Sequence, residues 1–185
     1  MLEDLAALLR LPTLFPRITK VLNHARAIFQ LPNDAPFLLV DPNPGTGTHD
    51  WGYRWMDKNN LLMVFMGLSW GHQNCDPLWE VHVQCCDPKI AEMMRAGDWQ
   101  VHAARRAETR FSEWDKFWHE DLAGTGVLLG TSAAATRFFE EESSEQMAAE
   151  YLGGAFYALH ASGALQALLE VARQFADPGL GSTTL

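Results

Sequence analysis

The chain has 185 residues, of which 48% are hydrophobic, and its 14 Lys and Arg against 23 Asp and Glu give a formal net charge of −9. This length and composition fit one folded domain with a full hydrophobic core and exclude a disordered chain. Nucleic acids and anionic membranes bind clustered positive charge, so we expect neither as a partner.

The N-terminal segment predicts two helices. Leucines recur at helical spacing over residues 2–11, and Pro16 suits the first turn of a second helix over residues 16–30. Glu3 and Asp4 stand where a secretory signal would carry positive charge. No uninterrupted apolar run in the sequence reaches the roughly 18 residues that a membrane span needs. We therefore expect no signal peptide and no membrane segment.

Four strands are predicted between the first helices and the middle of the chain. A short apolar run at 37–40 predicts the first, and alternating aromatic residues at 51–58 predict the second. An Asn-Asn pair, which suits a tight turn, leads into an almost wholly apolar run at 61–70. Such a run is typical of a strand that is covered on both faces. Residues 78–86 alternate between apolar and polar and predict the fourth strand.

The segment after the predicted sheet is less regular. Pro88 opens a short helix over residues 89–96, whereas residues 98–110 fit either a helix or a strand. Apolar spacing over residues 111–122 fits a helix better than a strand, and residues 127–129 predict a last short strand.

The C-terminal part is strongly helical. Apolar residues recur from about Ser144, Gly163 interrupts the pattern, and a second amphipathic stretch follows over residues 164–175. We therefore predict one α+β domain over residues 1–176, followed by a flexible tail at 177–185. Its sheet is mainly antiparallel with four to six strands, and the N-terminal and C-terminal helices pack against it.

Aromatic side chains are concentrated on the predicted sheet. Trp51, Tyr53 and Trp55 share one face of a strand, and Trp70 and Trp79 lie close in sequence. Core packing is one interpretation, and a surface for a flat ligand or a protein partner is the other. With no recognisable catalytic motif, the leading prediction is a non-catalytic module that binds a protein partner or an apolar small molecule through this aromatic sheet face.

A hydrolase is the alternative prediction. His72 and Cys75 lie in one loop and would suit a base and a nucleophile. Glu80 and His82 lie two residues apart on a strand, so their side chains share a face and have acid/base chemistry. The same residue types also occur in ordinary polar turns and on the solvent face of antiparallel strands.

A metal site has weaker support. His49, Glu80 and His82 are competent ligands that the fold could bring together. The spaced His and Glu patterns of known metal sites are absent from the sequence, however. We therefore predict no metal and no cofactor.

The cysteines and the C-terminal helices suggest a compartment and an assembly. The sequence has three cysteines, an odd number, and the adjacent Cys85 and Cys86 would point to opposite faces of a strand. This usage fits a reducing compartment, so we expect a cytoplasmic protein. Small residues on the predicted C-terminal helix would permit close contact between helices, which favours a homo-oligomer; they are Gly153, Gly154, Ala155 and Ala158.

Overall fold

The structure, a computed structural model, describes residues 2–46, 50–70, 77–99, 103, 126–136 and 144–177. These residues form one α+β domain, as the sequence predicts. The described helices are α1 (Leu2–Ile28), α2 (Pro88–Ala96), α3 (Ser144–Ala161) and α4 (Ala164–Ala176). The described strands are β1 (Phe37–Leu39), β2 (Gly45–Thr46), β3 (Asp50–Asp57), β4 (Leu62–Ser69), β5 (Leu78–Cys85) and β6 (Val127–Ala134).

The strands form an antiparallel sheet in the order β1-β3-β4-β5-β6, and β2 also pairs with β3. Strands β3, β4 and β5 follow one another directly in the chain and in the sheet. The strands predicted at 37–40, 51–58, 61–70 and 78–86 are thus confirmed to within a residue or two at their ends.

Two strands differ from the sequence prediction. Strand β6 runs from Val127 to Ala134, because it continues to pair with β5 after the apolar residues end. The short β2 was not predicted, since two residues in a glycine-rich loop give no periodicity. The helix predicted over 111–122 lies outside the described residues, as does the predicted tail over 177–185 apart from Asp177.

The prediction of two N-terminal helices is wrong, because α1 is one helix that continues through Pro12 and Pro16. Each proline removes one hydrogen bond to the residue four positions earlier. The two prolines are four residues apart, so both losses fall on the same side of the helix. Packing outweighs this cost, since Val21, Leu22 and Ala25 are fully buried against the rest of the domain.

The main core lies between the helices and one face of the sheet, called here the helix face. On this face Trp55 packs against Phe156 of α3, with ring centroids 4.4 Å apart. The hydroxyl of Tyr53 bonds to Oδ1 of Asn23 on α1 at 2.5 Å. The aromatic residues of β3 thereby fix both long helices to the sheet.

The opposite face of the sheet, called here the second face, is centred on Phe65 of β4. Gly52 and Gly67 are cross-strand partners, and a Cβ atom on either would lie within 2.7 Å of the Phe65 ring. The ring therefore covers the glycine pair, and it is itself fully buried. Strand β4 is buried on both faces, which confirms the interpretation of its apolar sequence.

The turn between β3 and β4 is built around the buried carboxylate of Asp57. Its Oδ1 accepts hydrogen bonds from the backbone N–H groups of Leu61 and Leu62, and its Oδ2 accepts one from Asn59. Asn60 has φ of 55°, the left-handed conformation that asparagine tolerates. The Asn-Asn turn predicted from the sequence is confirmed.

Candidate functional site

The predicted aromatic binding residues lie mainly in the core. Trp51, Tyr53, Trp55 and Trp79 expose between 2% and 8% of their surface, and Trp70 is half-buried. Most of this aromatic area therefore packs against the helices. It reaches the surface where Trp55 borders a groove at the edge of the sheet.

This edge groove has a volume of about 260 Å³ and lies between β1 and the segment that follows α1. Its apolar lining includes Leu31, Phe37, Leu39 and Trp55. Leu38, which also borders the groove, exposes 56% of its surface. The site thus combines an apolar pocket with an exposed edge strand.

Strand β1 has backbone hydrogen-bonding groups that point away from the sheet. The backbone N–H of Val40 donates to the carbonyl of Arg54 at 2.9 Å. In an antiparallel pair, the residues that bond to the partner strand alternate along the chain. Leu38, the partner of Met56, therefore bonds to β3, whereas the N–H and C=O groups of Phe37 and Leu39 point away from β3, toward the edge where no second described strand pairs.

Arg26 supplies the charge of the edge groove. Of the described residues that line it, Arg26 alone is charged, and Gln30 and Asn33 are its neutral polar members. The Arg26 guanidinium lies 5.1 Å from the centroid of the Tyr53 ring, and its Nη1 donates to the carbonyl of Pro42 at 2.8 Å. These two contacts hold the cation beside the apolar lining.

The polar row of β5 lies on the second face. Oε2 of Glu80 is 3.5 Å from Nδ1 of His82, and the His82 ring stacks on Phe65 with centroids 5.0 Å apart. The side chains of Glu80 and His82 expose only 12% and 13% of their surface. A solvent-facing row is therefore the wrong interpretation for these two residues.

Arg54 is the neighbour of Phe65 on β3, the strand across β4 from His82. Its guanidinium is 5.3 Å from the ring centroid and bonds to Oδ1 of Asp50 at 2.5 Å. The second face thus carries a cation on β3, an aromatic ring on β4 and a His–Glu pair on β5, side by side across the sheet.

The remaining hydrolase and metal candidates, His49, His72 and Cys75, lie outside the described residues. The described cysteines, Cys85 and Cys86, are free thiols. Burial raises the pKa of Cys85, and burial together with the neighbouring Cys85 raises the pKa of Cys86 to about 11. Both are therefore protonated, weakly nucleophilic thiols at neutral pH.

The described residues contain neither a cluster of metal ligands nor a membrane-spanning helix. Among these residues, no three His, Cys, Asp or Glu side chains cluster closely enough to hold a metal ion. Nor does any described helix combine the length and apolar character needed to cross a membrane.

The small residues of α3 are divided between two environments. A Cβ atom on Gly153 would lie 2.7 Å from Cβ of Ile28, so this glycine serves the contact between α1 and α3. A Cβ atom on Gly154 would have no neighbour within 4 Å. Ala155 and Ala158 are half-buried against the core. An oligomer through this helix stays a prediction.

Comparison of the chain with protein-family models, with curated proteins and with solved structures finds no match. The edge groove and the second face are therefore the two candidate sites in the described part of the chain. Sequence reasoning placed Trp55 in a binding site but missed the other lining residues. The available signal was a short apolar run between Pro36 and Pro42, since prolines commonly flank strands at a sheet edge.

Proposed function

We propose that the protein is a non-catalytic binding module that holds an extended segment of a protein partner against strand β1. The segment adds a strand to the sheet and places one apolar side chain in the edge groove. Trp55 and Phe37 would contact that side chain. This is a specific form of the binding function predicted from the aromatic residues of the sheet.

The observation that carries the proposal is the backbone edge of β1 that no second described strand pairs with, directly beside an apolar groove. Outward N–H and C=O groups of Phe37 and Leu39 are suited to pair with another polypeptide in an extended conformation. Main-chain hydrogen bonds would supply affinity, and the groove would select the side chain that enters it. A small apolar molecule would use the groove but would leave these backbone groups unpaired.

The first experiment is selection from a displayed library of random short peptides on the purified protein. The test variant is Asn33→Trp. Its new side chain, placed at an exposed turn that lines the edge groove, should fill the groove. The control is Glu92→Trp, which adds the same side chain at an exposed position of α2 outside the groove. We expect enriched peptides to bind the wild-type protein and Glu92→Trp equally, and to lose at least tenfold in affinity for Asn33→Trp.

A second measurement separates strand addition from simple occupation of the groove. Each enriched peptide is synthesised with a single N-methyl group moved along its backbone. Because the N–H groups of a strand point alternately toward and away from the neighbouring strand, methylation should weaken binding at alternate positions. Equal binding by all methylated peptides, or enrichment on Asn33→Trp as strong as on the wild type, would refute the proposal.

The low exposure of Glu80 and His82 favours hydrolysis as a second candidate function. A His–Glu pair sheltered from water is a suitable arrangement for general acid/base chemistry. The test is hydrolysis of p-nitrophenyl acetate by the wild type and by Glu80→Gln. A wild-type rate above buffer that falls at least tenfold in the variant would support a hydrolase, and equal rates would count against it.

A further inference from the structure

The alternating direction of side chains along an added strand determines which side chains of a partner segment can reach the edge groove and Arg26. Side chains two residues apart point to the same face and are separated by about 6.5–7 Å. Phe37 and Leu39 point to the helix face, because their cross-strand partners are Asp57 and Trp55. Alternate side chains of a segment beside β1 would therefore point to the helix face as well, where the edge groove and Arg26 lie.

Arg26 gives this surface a charge opposite to that of the chain as a whole. The chain has a net charge of −9, yet no described Asp or Glu lines the edge groove. The nearby Asp41 is exposed and accepts a hydrogen bond from the backbone N–H of Asn43 at 2.8 Å. The groove therefore presents a cation that a carboxylate would complement.

The guanidinium of Arg26 is also positioned to bind a carboxylate. Arginine has five N–H donors in a planar fork, and Arg26 gives one of them to Pro42 within the described part of the chain. Its contact with the Tyr53 ring restricts the side chain to the groove wall. A fixed guanidinium loses little freedom when it forms paired hydrogen bonds with a carboxylate.

We infer that the partner segment carries an acidic side chain two residues from its apolar anchor, and that this carboxylate pairs with Arg26. The inference rests on the proposed function, because it assumes a segment beside β1. It names the partner chemistry as an extended stretch with the pattern apolar, any residue, acidic, in either chain direction.

The test is a double-mutant cycle with an enriched peptide. The acidic residue of the peptide is changed from Asp to Asn or from Glu to Gln, and Arg26→Gln is made in the protein. Arg173→Gln, an exposed arginine of α4, is the control with the same loss of charge. We expect each of the first two changes to weaken binding about tenfold or more. Both together should weaken it little further, and Arg173→Gln should have no effect.

The outcomes separate this inference from the proposed function. The inference would be overturned if the enriched peptides show no acidic preference and bind Arg26→Gln as tightly as the wild type. If those peptides still pair with the edge, strand addition would remain supported. If the selection yields no peptide whose binding is weakened by Asn33→Trp, both the inference about Arg26 and the proposed function would be refuted. If Arg26→Gln fails to fold, the peptide substitution measured on the wild-type protein still decides the result.

Discussion

Strands β4 and β1 differ in how many neighbouring strands their backbone hydrogen bonds reach. Strand β4 pairs with a strand on each side and is buried on both faces, so its hydrogen bonds and its apolar surface serve the fold. Among the described strands, β1 pairs only with β3, and its Leu38 is mostly exposed. The aromatic residues in the centre of the sheet pack against the helices, and the binding surface that we propose lies at the edge.

The largest loss of stability is expected for a substitution in the centre of the sheet. Phe65→Ala should lower the free energy of unfolding by about 3–5 kcal/mol, because the ring is fully buried over the glycine pair and its loss leaves a cavity. Leu38→Ala at the edge should change it by less than about 0.5 kcal/mol. Urea unfolding of both variants measures the difference, and similar losses would contradict the contrast between centre and edge.

The next largest effect concerns the turn that joins β3 to β4. Asp57→Ala should destabilise the protein by about 2–3 kcal/mol, because three backbone N–H groups lose a buried acceptor. Asp41→Ala is the matched control, since its exposed carboxylate accepts one backbone hydrogen bond and its loss should cost less than about 1 kcal/mol. A loss at Asp57 no larger than that at Asp41 would show that burial of the acceptor is unimportant here.

A smaller, pH-dependent effect concerns the contact between α1 and α3. Hydrogen bonds from Arg17 and Lys20 lower the pKa of Glu145 in the folded protein. The lowered pKa stabilises the fold at neutral pH, and this contribution disappears as the pH falls through the folded-state pKa. Glu145→Gln should therefore cost less than about 1 kcal/mol at pH 7 and nothing at lower pH.

The control for this prediction is Glu150→Gln, which removes a carboxylate from an exposed position of the same helix. Thermal unfolding between pH 3 and pH 7 (about the range in which a carboxyl group titrates) gives the comparison. A stability difference between the wild type and Glu145→Gln that is constant over this range would contradict an ionic contribution from Glu145.

Much of the fold could be predicted from the sequence, because its signals are local. Alternation along β3 and β5, the apolar run of β4 and the break at Gly163 each reflect the period of one element. The continuous helix α1 could not be predicted in this way. Whether Pro12 and Pro16 end a helix depends on packing against α3, which comes from residues more than a hundred positions away.

The candidate site was less predictable than the fold. Periodicity groups Trp51, Tyr53 and Trp55 on one face but does not reveal that α1 and α3 cover them. The edge groove depends on strand order, since β1 is an edge strand only because it pairs with β3 and with no second described strand. Glu80 and His82 alternate like solvent-facing residues, and their low exposure arises from tertiary structure.

We propose that the backbone edge of β1 receives an extended segment of a partner. Hydrogen exchange of the backbone amides, followed by NMR with and without a selected peptide, is the decisive experiment. We expect the amides of Phe37 and Leu39 to become strongly protected, while that of Leu38, which already bonds to β3, changes little. Unchanged exchange at Phe37 and Leu39 with saturating peptide, or protection confined to the second face around Phe65, would contradict it.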